Sequence, residues 1–117
     1  MAEPAAADGL SRTLEHTEVQ RGALSVPGRE VVQVLTRIPV GAESGWHTHP
    51  GEEVGYILAG TVEMMIQGQP TLTLHAGDSF LMLPRTPHNA LDVGPEMGRM
   101  LSTSIVEVEL PLSTFIG

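Results

Sequence analysis

An all-β fold, a barrel or a sandwich, is predicted by three features of the 117-residue chain. Short apolar or alternating runs recur between Gly, Pro, Asn and Asp punctuation, and β-branched residues cluster inside those runs. None of the runs keeps a helical period over three turns. One core suits a chain of this length, so a second domain is not expected.

Each element follows in order. "MAEPAAADGL" is too poor in large apolar residues to order itself, so residues 1–10 are expected to form a flexible tail and 11–117 a single domain. A weak helical turn around Leu14 to Val19 is the one helical candidate. Strands are then expected in "EVVQVLTRIPV", "EVGYILAG", "TVEMMIQG", "TLTLHAGD", "SFLMLP", "HNALDVG" and "GRMLSTSIVEVEL". No internal repeat interrupts them.

Six Lys and Arg against 14 Asp and Glu give a formal net charge of −8, which offers no basic surface for nucleic acid or an anionic membrane. Small molecules or other proteins are the expected partners. Cysteine is absent, which removes disulfides and thiolate ligands, so any metal must use His, Asp or Glu. The first residues lack the cationic and apolar regions of a signal peptide, and no stretch approaches the ~18 apolar residues of a membrane span. A soluble, cytoplasmic protein is the expectation.

"GAESGWHTHPGEEVGYILAG", residues 41 to 60, carries the chemistry. Residues i and i+2 of a strand point to one face, roughly 6.6 Å apart, whereas on a helix they diverge. His47 and His49 can therefore chelate one ion only if the segment is extended, and Gly41, Gly45 and Pro50 all disfavour helix. Pro50 and Gly51 then supply a turn, after which Glu53 starts a strand that can fold back beside the first. Glu53 rather than Glu52 is the expected third ligand. A carboxylate beside two imidazoles suits Fe, Mn, Ni, Co, Zn or Cu without choosing among them.

Gly41, His47, His49, Glu53 and Gly60, at these spacings, resemble in every fixed position the first motif of the cupin superfamily. "GDSFLMLPRTPHNALD" is similar to the family's second motif, with a looser match. His88 stands eleven residues after Gly77, as the family histidine does, but the usual proline is displaced to Pro84, the usual glycine is Thr86, and the usual asparagine falls on Asp92. The short spacing between the two motifs is like that of small bacterial single-domain cupins. The resemblance implies a double-stranded β-helix, a jelly-roll-like barrel, with a divalent metal held by His47, His49, Glu53 and His88. It also implies Fe(II) first, with Mn, Ni, Zn, Cu or Co as alternatives. Glu53 could leave the metal and act as a base, as in some cupin dioxygenases, and so is the candidate catalytic residue.

His16 and His75 remain unassigned, since an isolated histidine is usually solvated or satisfied within a core. If Glu53 points inward, so do Gly55 and Ile57, and Gly55 is expected to leave space near the metal. Tyr56 would face away. Val62, Met64 and Ile66 share a face, as do Phe80 and Met82, so Met64 and Met82 are candidate pocket walls. Trp46 should point opposite to His47 and pack. The runs Phe80 to Leu83 and "RMLSTSIVEVEL" are apolar on both faces, which, with the family habit of pairing, predicts a homodimer.

Two functions are expected. The first is a metal-dependent enzyme acting on a small oxygenated organic molecule: dioxygenase-like oxidation comes first, because the three-histidine, one-glutamate ligand set resembles that of cupin dioxygenases, and lyase, isomerase or cyclase chemistry is the alternative. The second is a metal or small-ligand binding module without catalysis.

Overall fold

Ten strands and no helix make up residues 14–116, the part of the chain that the computed structural model describes. The tail expected at 1–10 lies outside the described residues. The strands are β1 (Glu15–Ala23), β2 (Arg29–Ile38), β3 (His47–Thr48), β4 (Glu53–Ala59), β5 (Thr61–Ile66), β6 (Leu72–His75), β7 (Ser79–Met82), β8 (His88–Asp92), β9 (Gly98–Glu107) and β10 (Thr114–Phe115). They form two antiparallel five-stranded sheets, ordered β1-β2-β9-β4-β7 and β10-β3-β8-β5-β6. The sheets enclose a shared core but are not joined into one hydrogen-bonded ring. Among the described residues no helix is long and apolar enough to cross a membrane.

Period-two alternation decides which side chains enter the core. Ile38, Ile57, Phe80, Met82 and Met100 come from the first sheet, and Val62, Met64, Ile66, Leu74 and Ala90 from the second. β4 shows the rule plainly: Glu53, Gly55 and Ile57 are buried while Val54, Tyr56 and Leu58 are exposed. The β4–β5 turn needs Gly60, whose φ is +78° and where a Cβ would lie 2.8 Å from the Cα of Gly98. Asp92, fully buried at the end of β8, accepts hydrogen bonds from the amides of Gly94 (2.9 Å) and Gly98 (2.7 Å), which fixes the entry to β9.

One expectation about the elements needs correction. Leu14 to Val19 forms no helical turn: from Glu15 the chain is strand β1, paired with β2 from Glu15 opposite Arg37 to Ala23 opposite Glu30, with a bulge between Glu18 and Gln20. Pairing along the free edge of β2 satisfies the backbone there, and that outweighs a weak local helical preference. Trp46 is 38% exposed, so most of its surface is covered by protein.

Candidate metal centre

Three imidazoles converge between the sheets. His47 on β3 stands directly opposite His88 on β8, and His49 follows β3 by one residue. One ligand nitrogen from each of His47, His49 and His88 lies within 4.8 Å of the others, and all three residues are buried. The rings sit with centroids 4.2 to 4.9 Å apart, a crowding that nothing in the apolar core requires.

Backbone carbonyls set the tautomer of each ring. The Nδ1 of His47 donates to the carbonyl of Gly45 (2.6 Å), that of His49 to Leu112 (2.8 Å) and that of His88 to Thr86 (2.8 Å). Since a carbonyl can only accept, Nδ1 carries the proton in all three, and Nε2 is left to act as the ligand atom. The short loops before β3 and β8 thus place a carbonyl two residues upstream of His47 and of His88, while the approach to β10 supplies the third.

Glu53, the first residue of β4, is 5% exposed, whereas Glu52 faces solvent. Its Oε1 lies 3.1 Å from Nε2 of His49 and 3.6 Å from Nε2 of His88. The His49 contact brings the charges together without filling the hydrogen-bonding direction of Nε2, which is buried with no hydrogen-bond partner.

Electrostatics follow from this packing. Burial, reinforced by the neighbouring imidazoles of His88 and His49, pushes His47 down to about 3, so it stays neutral. Burial also disfavours charge on His49 and Glu53, but each offsets that cost for the other: His49 is raised, and Glu53 is held well below the usual carboxylate range. His75, on β6, is far from this group in the fold, its amide held by Asp78 (2.7 Å) and its ring near Thr61 (3.3 Å).

The cavity over the imidazoles leaves about 60 Å³ for the centres of water-sized atoms. Its lining is mostly apolar, Met64, Met100, Leu112 and Phe115 included, and His16, Thr36, Ser102 and Ser104 add polar lining on β1, β2 and β9. Met82 packs in the core without lining the cavity. Gly55 leaves no space there either. A Cβ at Gly55 would lie 2.0 Å from the ring of Phe80, its partner across β7, so that ring already occupies the volume the missing side chain vacates.

His16 and Asn89 went unassigned in the sequence. Leu14, which is buried, and His16 share a parity that points both inward once β1 is extended; a helical reading hides this. Nδ1 of His16 lies 3.0 Å from Oγ1 of Thr36. Asn89 faces away from the cavity and ties down the loop before His47, accepting from the amide of Gly45 (2.9 Å) and the hydroxyl of Ser44 (3.3 Å).

A family model described as "Cupin domain" matches residues 34–104, more than half of the chain. The chain belongs to the cupin family. A curated relative, dimethylsulfoniopropionate lyase DddQ of Ruegeria pomeroyi, is 37% identical over 51 residues, 44% of this chain and 25% of that protein. The chain thus matches about a quarter of the length of that relative. The crystal structure of the same lyase superposes with a TM-score of 0.66 at 25% identity, covering 73% of this chain and 42% of the lyase. A cupin-like protein of Thermotoga maritima superposes over 99% of this chain and 85% of its own with a TM-score of 0.70 at 20% identity. An oxalate oxidase in complex with glycolate gives 0.69 at 19%, over 97% of this chain and 60% of its own. These last two likenesses bear on the fold alone.

Proposed function

We propose that this cupin is a metal-dependent enzyme acting on a small oxygenated organic molecule, with His47, His49, His88 and Glu53 as the metal ligands. The observation that carries the reading is the set of three buried imidazoles, each locked by a backbone carbonyl at Nδ1 so that Nε2 is the free ligand atom. The residues fit a divalent ion: Nε2 of His49 is buried without a hydrogen bond, and Glu53 brings an anionic oxygen within 3.1 Å of it. A three-nitrogen, one-oxygen donor set accepts Fe(II), Mn, Ni, Zn, Cu or Co without choosing among them, and Fe(II) comes first only on the resemblance of the ligand set to cupin dioxygenases. When bound, such an ion would polarise a substrate oxygen as a Lewis acid or support redox chemistry with dioxygen.

The walls bear on which of the two. The resemblance of the ligand set to cupin dioxygenases favours oxidation, whereas the polar groups on β1, β2 and β9 of a mostly apolar cavity supply the acid or base candidates that non-redox chemistry needs. Together with the likeness to a lyase, this polar lining supports non-oxidative elimination first and oxidation second. In that reading His16, whose ring is held beside Thr36, is the cavity residue suited to take a proton from the substrate. In the oxidative reading Glu53 is the base.

Metal analysis, followed by parallel assays for dioxygen uptake and for unsaturated product from β-substituted propanoates such as dimethylsulfoniopropionate, tests this. About one ion per chain, with elimination and no dioxygen uptake, is expected. Uptake over a panel of diketones, catechols and flavonols without elimination would reverse the order. A full metal complement with neither activity would leave a binding module, and substoichiometric metal after reconstitution would overturn the site.

The same proposal includes a cytoplasmic location, no nucleic-acid partner in view of the −8 charge, and a homodimer. Val54, Tyr56 and Leu58 on β4, Leu81 on β7 and Ile105 on β9 are all at least 41% exposed on the outer face of one sheet. Such a face is larger and more apolar than scattered surface residues need to be. Light scattering at micromolar concentration should give a dimer mass, and the double variant Val54→Glu, Leu81→Glu should give a folded monomer. A monomeric parent protein would refute pairing.

A further inference from the structure

We infer that Ser102 and Ser104 form a second ligand-holding element in the cavity, donating hydrogen bonds to the carboxylate oxygens of a small ligand held beside the imidazoles. The inference deepens the metal-dependent reading above and rests on it.

On the inward face of β9 the order is Met100, Ser102, Ser104, Val106, so two hydroxyls interrupt an otherwise apolar row. They stand at the level of the site: Ser104 is directly opposite Glu53 on β4, and Ser102 is opposite Gly55. On the other side their partners across β2 are Val32 and Val34. Ser102 therefore has no polar side chain directly opposite it on either neighbouring strand. Its Oγ is buried without a hydrogen-bond partner, the residue is 7% exposed, and it lines the cavity. A buried hydroxyl without a partner is unfavourable, and packing alone would be served as well by the kind of residue found at Val106. Both hydroxyls border the space where a ligand would sit, so the ligand is the natural partner.

Charge and volume narrow its class. Three neutral imidazoles and the Glu53 carboxylate around a divalent ion would leave a net positive charge in a cavity whose lining, among the described residues, holds no lysine or arginine. An anionic oxygen is favoured there, and serine hydroxyls can donate to it. The cavity is small, with about 60 Å³ for the centres of water-sized atoms, so what it holds beside an ion is a ligand of a few non-hydrogen atoms. Propanoate has this size and charge.

Calorimetric titration of propanoate into zinc-loaded protein tests the assignment, with zinc measured in the same samples. Ser102→Ala is expected to weaken propanoate by about tenfold or more with zinc content unchanged. Ser104→Ala should weaken it in the same direction. Thr103→Ala, which removes the hydroxyl from the opposite face of the same strand, should leave it unaltered. Butan-1-ol, neutral and of similar size, should bind far more weakly than propanoate. A parent protein that takes up no zinc would overturn the metal reading and this inference with it. Zinc uptake with no propanoate binding, or with equal binding by parent and Ser102→Ala, would overturn this inference alone and assign the hydroxyl to ordered water.

Discussion

Replacing His49 with alanine should abolish stoichiometric metal binding at micromolar protein, while the protein stays folded. His49 contributes one of three converging nitrogens and is also the residue closest to Glu53. Its loss leaves two imidazoles and a buried carboxylate that has lost its nearest cationic partner. Changes in residues that merely orient ligands cost roughly 10–100-fold in metal affinity, so loss of a ligand should exceed that range. Elemental analysis after dialysis against a weak chelator is the measurement. A variant that kept a full complement would mean that His47, His88 and Glu53 suffice, or that the ion sits elsewhere.

The parent protein adds a pH test with a definite sign. Metal binding needs a free Nε2 lone pair on each imidazole. His47 is pushed down to about 3, chiefly by burial, and brings no proton in the ordinary range. His49 is different: burial lowers it, but the charge of Glu53 and the contact with it raise it overall, so it carries a proton to higher pH than a free imidazole. An incoming ion must displace that proton. Apparent affinity should therefore fall by about tenfold per pH unit as pH drops below the raised pKa of His49. Titration in buffers of different ionisation enthalpy should show about one proton released at pH values where His49 is charged.

Most strands were readable because burial alternates along them, β4 and β5 being the clearest examples. β1 was not, because it lies at a sheet edge with both faces largely exposed, so its sequence has no alternation to read. Missing β1 hid His16. The grouping of His47 with His49 was legible from spacing, since parity along an extended segment is a local property. Placing His88 with them needed the family resemblance, because its partner in register, His47, is 41 residues away. Gly55 misled for the same non-local reason: Phe80, which fills its space, arrives from β7. The serine wall was missed because polarity points the wrong way on β9. Its inward face carries Ser102 and Ser104, while its outward face carries Leu101 and Ile105.

Gly51→Ala should be the most destabilising single-methyl substitution in the turn between His49 and Glu53. A Cβ at Gly51 would lie 1.7 Å from the carbonyl oxygen of Ile105, 2.9 Å from its carbonyl carbon and 3.5 Å from the Cα of Val106. These are backbone atoms of β9, the central strand of its sheet, which is paired with β2 along its whole length and with β4 on the other side. β9 cannot move without breaking those ladders, so the turn must lift instead. Lifting it would stretch the bond from the Ile105 amide to the Glu52 carbonyl, now 3.0 Å. Gly55→Ala makes an instructive contrast. Its Cβ would come 2.0 Å from Phe80, but a ring can turn where a backbone cannot. Overpacking typically costs about 1–3 kcal/mol, so Gly55→Ala should fall inside that range and Gly51→Ala at or beyond its upper end. Urea unfolding of metal-free protein measures both, and Gly51→Ala no worse than Gly55→Ala would refute the argument. Because Gly51 lies two residues from both His49 and Glu53, the same lift should separate those ligands. Metal affinity should therefore fall in Gly51→Ala by more than in Gly55→Ala, even under conditions where both variants are fully folded.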